Sequence, residues 1–198
     1  LVHALARARA DVNHRYGSAR GGFALLGLGK LGGREMGYGS DLDLVFVYDG
    51  GAETETGMDP SEYFATVASR TIQRLKEPTR YGTLYDIDAR LRPDGRKGVL
   101  AVSGRRLAEY YREEAQGWEP LALTKVRAVA GEPRFGVDMQ ECARDIAFSL
   151  PLTPKNLAEI DAIRARIVAT AAPLDLKRDE GGLVELEFAV RLLQLRHV

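Results

Sequence analysis

The sequence predicts an α+β front of about 135 residues joined to a helical back. Three observations predict it. Runs of strand length, apolar or alternating, all fall before residue 103. Apolar residues at helical spacing are interleaved with them. After about residue 136 strand signals stop and helical spacing alone remains. The expected division is 1–135, with 1–20 as an N-terminal helix, and 136–198 as the start of a helical domain. The missing initiator Met, and an end at Val198 inside an apolar helical pattern, read as a piece of a longer protein.

Taken in order, Leu1 to Asn13 is Ala/Arg-rich and reads as a helix. Phe23 to Leu28 is an apolar run bounded by glycines, which suits a buried strand. Gly29 to Gly39 holds five glycines, too many for a stable helix. Asp41 to Tyr48 reads as a strand with Leu42, Leu44, Phe46 and Tyr48 on one face, and Asp41, Asp43, Val45 and Val47 on the other. Asp59-Pro60 caps and opens a helix whose stripe is Phe64, Val67, Ala68, Ile72 and Leu75. Thr83 to Leu91 alternates as a second strand, with Asp86, Asp88 and Arg90 on one face. A turn at Pro93-Asp94-Gly95 returns to a third strand, Val99 to Val102. Ser103 caps a helix through Ala115 with Leu107, Tyr110 and Tyr111 inward. Thr153-Pro154 opens a helix carrying Leu157, Ile160, Ile163 and Ile167, and another begins near Leu183.

Composition narrows the function. With 45% hydrophobic and 28% charged residues, the chain is neither membrane-like nor fibrous. No apolar run approaches the roughly 20 residues that span a bilayer. The Arg-bearing start lacks the apolar core of a signal peptide, so a soluble, cytoplasmic protein with no membrane partner is expected. The 28 bases balance 28 acids, which argues against broad nucleic-acid binding. The one cysteine, Cys142, excludes an intrachain disulfide and a Cys/His zinc cluster, and is expected to be a small buried residue. The zero sum is segregated: residues 41–62 hold seven acids and no Lys or Arg, whereas 63–112 hold eleven bases and five acids.

Gly27 to Gly32 matches G-x-G-x-x-G, but the next strand follows too soon for a crossover helix, so a dinucleotide-binding fold is not expected. The loop makes better sense joined to Ser40-Asp41-Leu42-Asp43. Strand pleating puts the two carboxylates on one side, about 6–7 Å apart. Like charges so close call for a cation, and Mg²⁺ takes hard oxygen ligands shared with substrate phosphates. Glycines upstream let backbone N–H groups approach those phosphates, and Ser40 adds a hydroxyl. A two-metal site needs a further carboxylate. Asp88 and Asp86 both qualify on composition; Asp88 shares its face with the phosphate-directed Arg90, and the turn at Pro93 can re-aim Arg92.

These residues resemble a known family. Gly27-Leu28-Gly29-Lys30-Leu31-Gly32-Gly33-Arg34-Glu35 with Ser40-Asp41-Leu42-Asp43-Leu44 is similar to the signature of the bacterial glutamine synthetase adenylyltransferases. Asp88 to Pro93, Trp118-Glu119, Lys125-Val126-Arg127 and Asp179 to Phe188 agree in order and spacing. The resemblance implies a polymerase β-type nucleotidyltransferase domain, a small mixed sheet with flanking helices, followed by a helical segment. It implies an enzyme that moves AMP from ATP to a tyrosine of glutamine synthetase, regulated by the PII protein, with Mg²⁺, or Mn²⁺ in its place. The family also carries a second such domain that removes AMP by phosphorolysis. Asp88-Ala89-Arg90-Leu91 and Asp179-Glu180-Gly181-Gly182 resemble the adenylylating copy more closely.

Carried over, the resemblance makes Asp41, Asp43 and Asp88 the catalytic, metal-binding carboxylates, preferring Asp88 over Asp86. It gives Gly32, Gly33 and Ser40 to the triphosphate, and Arg90, Arg92 and Lys30 to phosphate contacts, although Lys30 and Arg34 also read as solvated. Lys125 and Arg127 would line the cleft. Glu185 and Glu187 stand where the family has an acidic pair, and equally read as helix-start acids favoured by the dipole. Trp118, Tyr110 and Tyr111 are expected as core or cleft wall; His3, His14 and His197 sit in no motif. A rival of another class is a non-catalytic nucleotide-sensing or docking module. Uridylylation of PII by a relative fits less well, given the match from Asp179 to Phe188.

Overall fold

A computed structural model of the chain describes residues 1–80 and 82–197; Val198 and the His197 side chain lie outside this description. In chain order the elements are α1 (Val2–Tyr16), β1 (Ala19–Arg20), β2 (Phe23–Gly27), α2 (Gly29–Gly33), β3 (Leu42–Tyr48) and β4 (Glu53–Thr54). Then come α3 (Pro60–Lys76), β5 (Ile87–Asp88), β6 (Ala101–Ser103), α4 (Gly104–Glu113), α5 (Pro120–Leu123) and β7 (Arg127–Gly131). Three helices finish the described chain: α6 (Pro133–Ser149), α7 (Pro154–Val168) and α8 (Leu183–His197).

The α+β architecture with a small mixed sheet is the expected one. The main sheet runs β5-β3-β2-β7, with β6 also beside β3. Strand β2 lies antiparallel to both β3 and β7. Strands β5 and β6 lie parallel to β3 along different stretches, Ile87–Asp88 beside Leu42–Asp43 and Ala101–Ser103 beside Phe46–Tyr48. A separate two-stranded ribbon pairs β1 with β4.

Alternation along β3 divides the interior. Leu42, Leu44 and Phe46 join Phe23 and Leu25 of β2 against Leu5 and Val12 of α1 and Phe64 and Val67 of α3. Val45 and Val47 face the other way, onto Leu107 and Tyr111 of α4, Leu123 of α5 and Ile146 of α6. Each face is thus covered by helices. The caps are as read: the Asp59 carboxylate accepts the Ser61 N–H at 2.8 Å, and the Ser103 hydroxyl accepts the Arg106 N–H at 3.1 Å.

Three expectations change, and one strand has no counterpart in the sequence reading. The strand read over Thr83–Leu91 contracts to Ile87–Asp88, because β3 starts only at Leu42 and presents no backbone partner earlier; Leu84 is exposed. The strand read at Val99–Val102 forms over Ala101–Ser103. The glycine loop does contain a helix, the five-residue α2, which ends at Arg34 in the left-handed region (φ 61°). A Cβ on Gly32 would lie 1.9 Å from the Lys125 carbonyl oxygen, so tertiary contact overrides helix propensity there. Strand β7 was not read at all; Arg-Ala-Val-Ala-Gly is short and has one β-branched residue.

Helix α6 runs through residues 135 and 136 and buries Ala143, Ile146 and Ala147 in the second core. The division expected at 135 therefore falls inside a helix packed on the sheet. Beyond it, Thr153 and Asn156 form a reciprocal capping box at the start of α7. The helical end is tied back by Ile160, which is buried, by Leu195 against the second core, and by the Gly117 N–H, which donates to the Glu159 carboxylate at 2.7 Å. No described helix is long and apolar enough to cross a membrane.

Candidate active site

The site forms where β3 begins. Its pleat turns Asp43 toward the Val45 and Val47 face, half-buried, while Asp41 stands exposed just ahead of the strand. Parallel pairing sets Asp88 of β5 in register with Asp43, and in-register side chains share a face. Asp86 is not so aligned: its carbonyl accepts the Leu42 N–H at 2.8 Å and its side chain is exposed.

Electrostatics follow from this crowding. Burial, then the charges of Asp88 and Asp41, push the Asp43 carboxyl above its ordinary value, with Arg191 and Arg90 pulling the other way. Burial also pushes Asp88 up, but hydrogen bonds from Arg90 outweigh it and hold that carboxyl low. The Arg90 amide and Nε donate to Asp88 at 2.8–2.9 Å, and the guanidinium closes an ion pair. In this arrangement Arg90 neutralises Asp88 instead of reaching outward.

Gly29 and Gly39 line one cleft with Asp41 and Asp43, whereas Gly32 and Gly33, expected at the triphosphate, lie outside that lining. Gly29 has φ +51°, and a Cβ there would lie 2.3 Å from Asp43 Oδ2, so only glycine lets the carboxylate pass. Ser40 is buried, and its Oγ accepts the Gly37 N–H at 3.1 Å, closing the loop beside Asp41. Gly29, Gly39, Ser40, Asp41, Asp43 and Lys30 form one wall of a cleft of about 240 Å³. Lys177, Glu187 and Arg191, from the helical end, line the same cleft. Asp88, Arg90 and Arg92 line an adjoining hollow that also includes Asp41.

Other predicted residues have local tasks. Gly32 and Gly33 border a separate hollow with Lys125 and Arg127, because α2 packs there against the segment entering β7. Arg127 donates to the Gly32 and Leu31 carbonyls at 3.0 and 2.6 Å, and Lys125 pairs with Glu35 at 2.7 Å. Arg92 donates to the Val99 and Gly98 carbonyls at 2.9 and 3.1 Å, and to that of Ala89, fastening the turn that follows β5. The acidic pair splits: Glu185 binds Arg164 and the Gly181 N–H, whereas Glu187 reaches the cleft. Tyr110 and Tyr111 are buried in the second core; Trp118 donates to Gln116 at 2.9 Å. Cys142 is only half-buried, packed at the edge of that core.

Sequence reasoning missed Gly29, Lys177 and Arg191. Gly29 belongs to the glycine run that the sequence singles out, but the spacing of that run does not tell it from Gly32. Lys177 and Arg191 carried no signal.

The donor chemistry suits a hard divalent cation: carboxylate oxygens of like charge, two of them side by side on parallel strands. Among the described residues no three such groups are drawn close enough to enclose an ion. Asp88 is instead turned onto Arg90.

The site is thus a glycine-bounded cleft with carboxylates at a strand end and basic side chains on both walls. Comparison with known proteins gives the family of the chain. The family model for glutamate-ammonia ligase adenylyltransferase matches residues 1–142, and the chain belongs to that family. It is 41% identical over 195 residues to the bifunctional glutamine synthetase adenylyltransferase/adenylyl-removing enzyme of Xanthomonas axonopodis pv. citri, covering 93% of this chain and 21% of the relative. The protein of the same name from Stenotrophomonas maltophilia is 40% identical over 202 residues, 96% of this chain and 22% of the relative. That from Xanthobacter autotrophicus is 42% identical over 186 residues, 88% and 18% respectively. The chain spans about a fifth of the length of these relatives.

Proposed function

We propose that this chain is the nucleotidyltransferase unit that moves AMP from ATP to a tyrosine of glutamine synthetase. The observation that carries the reading is the register of Asp43 with Asp88 on parallel strands, with Asp41 beside them at a glycine-bounded cleft. Family membership supports the chemistry, and the likeness at Asp88–Leu91 and Asp179–Gly182 supports the adenylylating direction.

Asp41, Asp43 and Asp88 would hold Mg²⁺, or Mn²⁺ in its place. Bound there, the ion supplies positive charge against phosphate oxygens. Gly29, Gly39 and Ser40 admit the triphosphate to the cleft, and Lys30 draws it by charge. Gly32, Gly33 and Arg92 act one step back, by fixing α2 and the turn after β5. Asp88, kept ionised by Arg90, accepts the tyrosine proton once Arg90 swings aside. A tyrosine hydroxyl has a pKa near 10, so it needs such an acceptor at neutral pH. The oxygen then bonds to the α-phosphorus, and the bond to the β-phosphate breaks, releasing pyrophosphate. In this reading the unit extends through α6. Regulation by PII and a cytoplasmic setting belong to the same proposal.

The test incubates the protein with glutamine synthetase, assaying AMP transfer from ATP and, separately, phosphate-dependent removal. Transfer is expected, and Asp41→Asn with Asp43→Asn should reduce it by at least about 100-fold. Removal without transfer would reassign the direction. Nucleotide binding without either activity would make the chain a sensing module.

A further inference from the structure

Arg191 is the cleft residue that the fold leaves unexplained. It lies midway along α8, its side chain is 18% exposed, and its Nε is buried with no hydrogen-bond acceptor among the described residues. Its Nη2 donates weakly to Glu187, one turn earlier, at 3.3 Å. A guanidinium keeps its charge at any physiological pH, so deprotonation cannot relieve this burial. A buried donor of a charged group with no acceptor is costly, and such groups in folded proteins answer to a ligand or an ordered water.

The surroundings indicate which ligand. Arg191 opens onto the cleft that holds Asp41 and Asp43, and Lys177 and Lys30 line the same space. Glu187 orients the guanidinium but engages only one of its nitrogens. A planar fork opening onto a space that two lysines also line matches a polyvalent oxyanion, which can take the fork through two oxygens and a lysine through another.

We infer that Arg191 and Lys177 form an anion subsite on the helical wall of the cleft. It takes the two terminal phosphates of a nucleoside triphosphate and the pyrophosphate they become. This rests on reading the cleft as a nucleotidyltransferase site, and it gives the helical end a direct part in the chemistry: neutralising the leaving group while the aspartates act at the other end of the triphosphate.

The test is calorimetric titration of the whole protein with inorganic pyrophosphate, ATP and adenosine, each with Mg²⁺, comparing the parent with Arg191→Gln, Arg191→Lys and Lys177→Gln. Arg191→Gln should weaken pyrophosphate and ATP by about tenfold or more, the scale of a lost charge-assisted hydrogen bond, and leave adenosine unchanged. Arg191→Lys should recover part of the loss. Lys177 is exposed, so Lys177→Gln should fold normally and weaken pyrophosphate in the same direction, which keeps the test decisive if Arg191→Gln does not fold. Pyrophosphate binding within twofold of the parent in Arg191→Gln, or in Lys177→Gln if the former is unfolded, overturns the inference. So does a parent that fails to bind pyrophosphate. Failure of the underlying reading looks different: AMP transfer would be absent from the parent, or would survive Asp41→Asn with Asp43→Asn.

Discussion

Asp43 and Asp88 sit side by side in register yet titrate in opposite senses, and Arg90 is the cause. Burial raises both carboxyls; only Asp88 receives the Arg90 amide and guanidinium, which bring it below the ordinary range near 3.9. The sign of the pH effect follows. A base with a depressed value stays ionised down to acid pH and is lost as pH falls through that value. Arg90→Ala removes most of the pull and leaves burial opposed only by the backbone N–H at that position and the charge of Arg96. The acid limb of kcat/KM, which reports the free protein in which Arg90 still holds Asp88, should therefore move to higher pH, as read from its dependence on pH. A limb unmoved by Arg90→Ala would remove Asp88 from the role of proton acceptor. At this scale the sequence was partly legible. The pleat put Asp41 and Asp43 together, but whether a glycine meets a carboxylate or a carbonyl depends on a non-local contact. For Gly29 the neighbour is Asp43 and for Gly32 it is Lys125, and glycine spacing alone does not tell them apart.

Elements with strong periodicity and a cap were the readable ones. Helix α3 begins at Asp59-Pro60 and buries Phe64, Val67 and Ala68 as the stripe requires; α4 begins at Ser103 and buries Leu107, Tyr110 and Tyr111. Replacing Ser103 with Ala leaves the Arg106 N–H without its partner and should lower stability by about 1 kcal/mol in urea unfolding. No measurable change would mean that packing of the two tyrosines, not the cap, sets where α4 starts. Strands whose existence depends on a neighbour were read poorly. Nothing in Thr83 to Leu91 reveals that only Ile87 and Asp88 pair with β3 as a strand, and β7 forms along the free side of β2. Helix α2 is the converse case, since its glycines oppose a helix that its contacts impose.

Over the whole molecule, a sheet covered on both faces has an open end, and the helical tail folds back across it. One wall of the cleft comes from β3 and its loop, the other from α8. The balance of charge holds locally too: Lys30, Lys177 and Arg191 share the cleft with Asp41, Asp43 and Glu187. The charge segregation along the chain led toward the acidic half of this site. It could not show the Lys177 and Arg191 half, because those residues lie in a helical segment with mixed charge and meet the aspartates only through tertiary packing. The most direct test of the account is a crystal of the protein soaked with Mn²⁺ and a non-hydrolysable ATP analogue, with the metal located by anomalous scattering. The account predicts manganese bound by Asp41, Asp43 and Asp88, with Arg90 displaced from Asp88 and the phosphates running toward Arg191. Manganese bound elsewhere, or Asp88 still held by Arg90 with the nucleotide in place, would contradict it.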